Sequence, residues 1–95
     1  MKRLRQTGQF KKDLKRYANR PAKIKKLLEV LPFLRNDMTL PEHYKAHMLA
    51  GDYTGCMECH IEGDFLLIWI DEESDTIGLL RLGSHSELFG KGTKR

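Results

Sequence analysis

The sequence lacks a long hydrophobic run. Its longest, Phe65 to Ile70, is six residues, whereas a helix that crosses a bilayer needs about 20. A secretion signal is also missing: Met1-Lys-Arg-Leu-Arg5 has the charge of one, but Gln6-Thr-Gly-Gln9 follows where an apolar stretch belongs. No membrane association and a cytoplasmic location are therefore expected. Cysteine is scarce, with Cys56 and Cys59 the only two, and in the cytoplasm both are expected to be reduced. There are no internal repeats and no low-complexity segments. What remains is a chain of 95 residues, long enough to bury one core as a single domain without disulfides or metals.

Acids are almost missing from one end. Residues 1–26 hold eleven Lys and Arg against one acid, Asp13, a net +10. Residues 27–90 reverse this, with three basic residues against twelve acids, and the tail 91–95 adds +3. A dense basic block at one end of a domain is the electrostatic footprint of a polyanion partner. A helix face kept basic for solubility would carry the same charge, so charge alone leaves both readings open.

Lys2 to Thr7 alternates weakly and predicts a first strand. Thr7 or Gly8 then opens a helix in which Phe10, Leu14, Tyr17 and Ala18 recur at helical spacing. Asn19-Arg-Pro21 breaks it, and Pro21 suits the first turn of a second helix with the stripe Ile24, Leu27, Leu28 and Leu31. Lys23, Lys25 and Lys26 lie mostly off that stripe. Pro32 is expected to kink or end the helix, with Phe33 and Leu34 available for one more turn. Residues 36–52 read as loop. Tyr53 to Ile61 reads as a strand, with Tyr53, Met57, Cys59 and Ile61 inward and Thr54, Glu58 and His60 outward. A turn at Glu62-Gly-Asp64 leads to Phe65–Ile70, apolar on both faces and therefore central. Asp71 to Asp75 forms a hairpin loop, and Thr76–Leu82 returns. Ser84-His-Ser-Glu87 has the capping-box pattern and opens a short helix through Phe89. The expected fold is α+β: an antiparallel sheet of about four strands, an N-terminal two-helix hairpin on one face, and a short C-terminal helix. Residues 1–95 form one domain, with 91–95 as its basic tail.

Two groups of residues suggest chemistry. Cys56-Met-Glu-Cys59-His60 fits the C-x-x-C-H pattern of haem attachment. On a strand, however, residues three apart face opposite ways, so the two thiols do not converge on one haem edge or one zinc ion. The histidines say more. His47 precedes the first long strand, His60 lies near its end, Asp64 follows in the turn, and His85 starts the last helix. Loops and strand ends are where a sheet presents reactive groups. Free imidazoles titrate near ~6.5 and can take a proton from a 2′-hydroxyl and return one to a leaving 5′-oxygen. Those two transfers, with a cation to hold the phosphorane charge, cleave RNA without a metal. Helix-terminal N–H groups at His85 would favour a phosphate contact. Spacing alone does not show that the histidines converge.

Three stretches, Leu40-Pro-Glu-His-Tyr44-Lys45-Ala-His47, Glu58-Cys-His60-Ile-Glu-Gly-Asp64-Phe65 and Gly83-Ser-His85-Ser-Glu-Leu-Phe89-Gly90, resemble the YafQ branch of the RelE/ParE toxins, as does Thr7-Gly-Gln-Phe-Lys-Lys-Asp13. The similarity runs from about Arg5 to Gly90. It implies a RelE-like fold and a bacterial type II toxin that cuts mRNA in the ribosomal A site and is silenced by a cognate antitoxin. DNA would be met only indirectly, through that antitoxin. By resemblance the essential groups are His47, His60, Asp64, His85 and Phe89. His85 would be the leading acid or base, His60 and Asp64 would assist, and Phe89 would stack on a base. Lys11, Lys12, Lys15, Lys23, Lys25, Lys26, Lys45 and Arg81, with Lys91, Lys94 and Arg95 of the tail, would grip rRNA and mRNA phosphates. No cofactor is implied. The sequence departs from the family where many relatives carry arginine and this chain has Met57, and where Phe65 replaces a tryptophan. Arg81 is then the nearest candidate for the missing cation, or else a solvated residue at a strand edge. Three rivals remain open: a ParE-like poison that blocks gyrase by binding, a toxin disarmed at Met57 that serves as co-repressor, and a haem or zinc protein.

Overall fold

Strand β4 (Phe65–Glu72) is the centre of the molecule because its side chains are apolar on both faces. Phe65, Leu67 and Trp69 enter one core, while Leu66 and Ile68 enter another on the opposite side. The computed structural model describes residues 1–90, so the basic tail with Lys91, Lys94 and Arg95 lies outside the described residues. Around β4 the chain forms β1 (Arg3–Gln6), α1 (Gly8–Lys15), α2 (Pro21–Arg35), β2 (His47–Met48), β3 (Met57–Glu62), β5 (Thr76–Gly83) and α3 (His85–Phe89). Single 3₁₀ turns span Glu42–Tyr44 and Gly51–Tyr53.

The sheet has five strands in the order β1-β5-β4-β3-β2. It is mixed, not antiparallel throughout: β1 pairs parallel with β5, from Arg3 opposite Thr76 to Gln6 opposite Leu79. The extra strand is β2, only two residues long, with His47 opposite Glu58 and Met48 opposite Met57. So short a strand has no periodicity of its own. It exists because β3 offers it an edge.

The helix hairpin covers one face, where Phe10, Leu27, Val30 and Leu34 pack on Cys59, Phe65, Leu67, Trp69 and Leu79. The other face is covered too. Leu88 of α3 and Cys56 close over Leu66 and Ile68, flanked by Leu49, Tyr53 and Phe89. Helices therefore lie on both sides of the sheet. Cys56 and Cys59, both free, belong to these two separate clusters.

Thr7 caps α1 by accepting from the Phe10 N–H at 3.1 Å, and its hydroxyl donates to the Leu79 carbonyl at 2.9 Å. The helix stops at Lys15, so Tyr17 lies in the following turn. Its ring still packs 4.8 Å from Phe65, and its hydroxyl donates to Glu87 at 2.5 Å. Burial and that contact push the phenol up to about 12. Pro32 does not end α2, which runs on to Arg35. Its missing N–H costs one i to i−4 bond, to the carbonyl of exposed Leu28, and Asn36 ends the helix by donating to the Pro32 carbonyl from both backbone and side chain. Among the described residues no helix is long and apolar enough to cross a membrane.

Asp13, the one acid of the basic block, is fully buried. Its carboxylate accepts from Arg81 Nε at 2.8 Å, from Arg81 Nη2 at 3.2 Å, from the Leu82 N–H at 3.0 Å and from Gln9 at 3.1 Å. Arg81 is consequently not a free, solvated cation. It lies on β5 just past the last residue paired with β1, opposite Ile68 of β4, and its guanidinium binds α1 to the sheet.

Candidate active site

Three elements bring the histidines together. Strand pairing sets His47 beside β3, and His60 lies on β3 itself. The capping box of α3 sets His85. There Ser84 Oγ accepts from the Glu87 N–H at 3.2 Å, and Glu87 Oε1 accepts from the Ser84 N–H at 2.9 Å. Gly83 is needed for this turn: at φ +152 a Cβ would lie 2.6 Å from Glu87 Oε1. Because Glu87 also receives the Tyr17 hydroxyl, the start of α3 is tied to the helix hairpin across the sheet.

The result is a row of rings. His47 and His60 have centroids 6.3 Å apart, His60 and His85 5.9 Å, and His85 and Phe89 6.0 Å, the last pair one helical turn apart on α3. Tyr53 supports Phe89 edge-on at 5.8 Å, and Arg81 Nη1 reaches the Tyr53 hydroxyl at 3.4 Å. His47, His60, Asp64, His85 and Phe89 are thus brought into one place.

Each histidine of the row has an acceptor. His85 Nδ1 lies 2.5 Å from Asp64 Oδ1, which also accepts the His85 backbone N–H at 3.0 Å. That backbone bond, followed by the ring contact, holds the Asp64 carboxyl below its ordinary value. The N–H that the sequence reserved for phosphate is therefore occupied by Asp64. His60 Nδ1 faces the Gly63 carbonyl at 3.2 Å. His47 is held at both nitrogens, Nδ1 by the Lys45 carbonyl at 2.8 Å and Nε2 by Glu58 Oε1 at 3.2 Å. With Nδ1 occupied, His60 and His85 present Nε2 for substrate.

Glu58 is the residue that sequence reasoning missed. Read as an outward polar position, it is 3% exposed, and its Oε2 has no hydrogen-bond partner among the described residues. It lines a hollow of about 300 Å³ with Leu49, Ala50, His85 and Phe89. The available signal was its i, i+2 relation to His60, which puts both on one face of β3.

The cations divide into two groups. Lys11, Lys12, Lys15, Lys25, Lys26 and Lys45 are exposed. Lys23 is half-buried, 3.1 Å from Glu62 and 5.0 Å above the Phe65 ring, and Arg81 is engaged by Asp13. Met57 packs with the helix-side core and lines a groove with Phe33, Leu34 and Trp69. An arginine there would not face Glu58 and His60, so Met57 takes no cation from the row. Met57→Arg is accordingly expected to give no faster RNA cleavage than wild type. A rate gain in a cleavage assay would contradict this placement. Among the described residues no three His, Cys, Asp or Glu side chains group as a metal ion requires.

A mixed sheet with a helix hairpin on one face and a histidine row that ends at the start of its last helix defines a RelE-like toxin. The family model described as "Bacterial toxin of type II toxin-antitoxin system, YafQ" matches residues 2–90. The chain belongs to this YafQ family. It is 34% identical over 85 residues to the mRNA interferase toxin YafQ of Escherichia coli K12, covering 88% of this chain and 91% of that one. A copper-bound L66S mutant toxin from Helicobacter pylori superposes with a TM-score of 0.85 at 36% identity, covering 94% of this chain and 100% of that one. A chain of the E. coli DinJ-YafQ toxin-antitoxin complex gives 0.81 at 32% identity, covering 94% and 98%.

Proposed function

We propose that this toxin is an mRNA endonuclease that cuts in the ribosomal A site by metal-independent acid–base chemistry and is silenced by a cognate antitoxin. The observation that carries the reading is the pair His60 and His85, each anchored through Nδ1, with ring centroids 5.9 Å apart. A phosphodiester lying between them meets one imidazole on the side of its 2′-hydroxyl and another on the side of its 5′-oxygen. One takes the 2′ proton as the oxygen attacks phosphorus; the other protonates the leaving 5′-oxygen. The products are a 2′,3′-cyclic phosphate and a 5′-hydroxyl. His85, oriented by Asp64, is the leading proton carrier. His47, held at both nitrogens by Lys45 and Glu58, flanks this pair and contacts substrate. Phe89, braced by Tyr53, stacks on an adjacent base. The exposed lysines of both helices, with Lys45 and the tail, hold rRNA and mRNA phosphates. Arg81 contributes indirectly, by fixing Tyr53 and, through Asp13, α1.

The test is purified, antitoxin-free protein on programmed ribosomes, with a chelator selective for transition metals that leaves the ribosome's Mg²⁺ in place. Discrete cuts that retain a 2′,3′-cyclic phosphate are expected. Intact mRNA with ribosomes present would sink the reading, and cuts that vanish with chelator would sink its metal independence. The family resemblance to the E. coli enzyme, called an mRNA interferase, supports this over gyrase poisoning, for which no histidine row is needed.

A further inference from the structure

The fourth histidine, His43, has no part in the row, yet it borders it. A second hollow, of about 410 Å³, shares no lining residue with the one beside Phe89 and is bounded by Lys26, Glu29, His43, Tyr44, Lys45 and His60. His43 is exposed, and its ring rests 4.1 Å from that of Tyr44, which is itself buried in the helix-side core. An exposed ring on a fixed aromatic support is a stacking surface.

Its position relative to the reacting groups is set by the backbone. The 3₁₀ turn carrying His43 and Tyr44 ends at Lys45, which takes a left-handed conformation (φ 52, ψ 44). The Lys45 carbonyl is the acceptor that orients His47. His60 lines the same hollow. It thus joins the row to this groove, and an RNA strand with its phosphate at His60 would have room there for a neighbouring nucleotide.

The lining favours a base over a second phosphate. Glu29 and Glu62 would repel an anion, and both accept from the N–H groups of a base edge, while Lys26 and Lys45 can donate to ring carbonyls or to the flanking phosphates. Glu62 is already engaged by Lys23 at 3.1 Å, so Glu29 is the carboxylate available for that contact.

We propose that this groove is a nucleotide subsite, in which one unpaired RNA base stacks on His43 beside the scissile phosphate. The inference rests on the ribonuclease reading and adds where a flanking nucleotide goes. Its test uses a 2′-O-methyl trinucleotide, which lacks the attacking hydroxyl, titrated into isotope-labelled protein and followed by NMR. Shifts at the His43 ring and the Lys45 amide are expected. Loss of one stacking contact in His43→Ala is expected to weaken binding by about 5- to 100-fold, and His43→Tyr to restore it. On programmed ribosomes the alanine variant should raise the half-saturating substrate concentration and redistribute the cut sites. Shifts confined to the Phe89 side, no shifts, or unchanged affinity in His43→Ala would overturn the subsite. Shifts at His43 from a protein that leaves ribosome-bound mRNA intact would uphold the subsite and overturn the nuclease.

Discussion

His85→Ala is expected to lower the single-turnover rate of mRNA cleavage on the ribosome by about 10²–10⁴-fold, the usual contribution of one positioned proton carrier. The ring is exposed, and the contacts described for it are the pair with Asp64 and the neighbouring rings of His60 and Phe89. Fold stability should therefore change by no more than about 0.5 kcal/mol, as for ordinary surface substitutions. That separation makes the experiment informative. A variant with an unchanged melting curve and undiminished growth arrest would remove His85 from the chemistry and revive poisoning by binding. Asp64→Asn tests the same group from behind. Its carboxylate is held ionised by the backbone N–H and ring of His85, so its support is complete above the ordinary carboxylate value of about 3.9 and is lost only as pH falls through the lowered one. The asparagine variant should thus be slower across the neutral range, with no new acid limb near pH 5.

Much of this architecture is legible in the residues, for identifiable reasons. Pro21 at the start of α2, the capping box at Ser84 and the doubly apolar run of β4 are local signals, each resolved within a few positions. Three motifs in order also carried the family and its fold. What escaped was nonlocal. The parallel partnership of β1 with β5 joins Arg3 to Thr76, and nothing in either segment specifies a partner so far along the chain. The two-residue β2 is defined only by the edge it meets, and with it went the pairing of His47 with Glu58. Alternation put Glu58 on the correct face of β3 but took that face for solvent, because no element had been assigned to cover it. Arg81 was misplaced for a related reason. A lone basic residue on a strand reads as solvated until an acid on another element comes within reach, and Asp13 read as a minor exception in a basic helix.

That Asp13–Arg81 pair predicts the largest loss of stability. Asp13→Ala would strand a largely buried guanidinium and leave the Leu82 N–H without its acceptor. Breaking a buried pair from one side costs about 3–5 kcal/mol, against a total of about 5–15 kcal/mol for a domain of this kind. A fall in Tm on the order of 15 °C or more follows. Replacing both partners, as in Asp13→Leu with Arg81→Met, should recover much of that loss, since no charge is then stranded. The pH dependence has a definite sign. Burial alone would raise the Asp13 carboxyl, but hydrogen bonds from Arg81, the Leu82 N–H and Gln9 outweigh it and hold the group below its ordinary value. A depressed carboxyl stabilises fully above the unfolded value of about 3.9 and loses that contribution as pH falls through the folded one. Urea unfolding of wild type and Asp13→Asn should therefore differ most near neutrality and converge below about pH 4. Equal stabilities at pH 7 would show that the pair does not hold α1 to the sheet. A gap that widens toward acid would reverse the sign argued here.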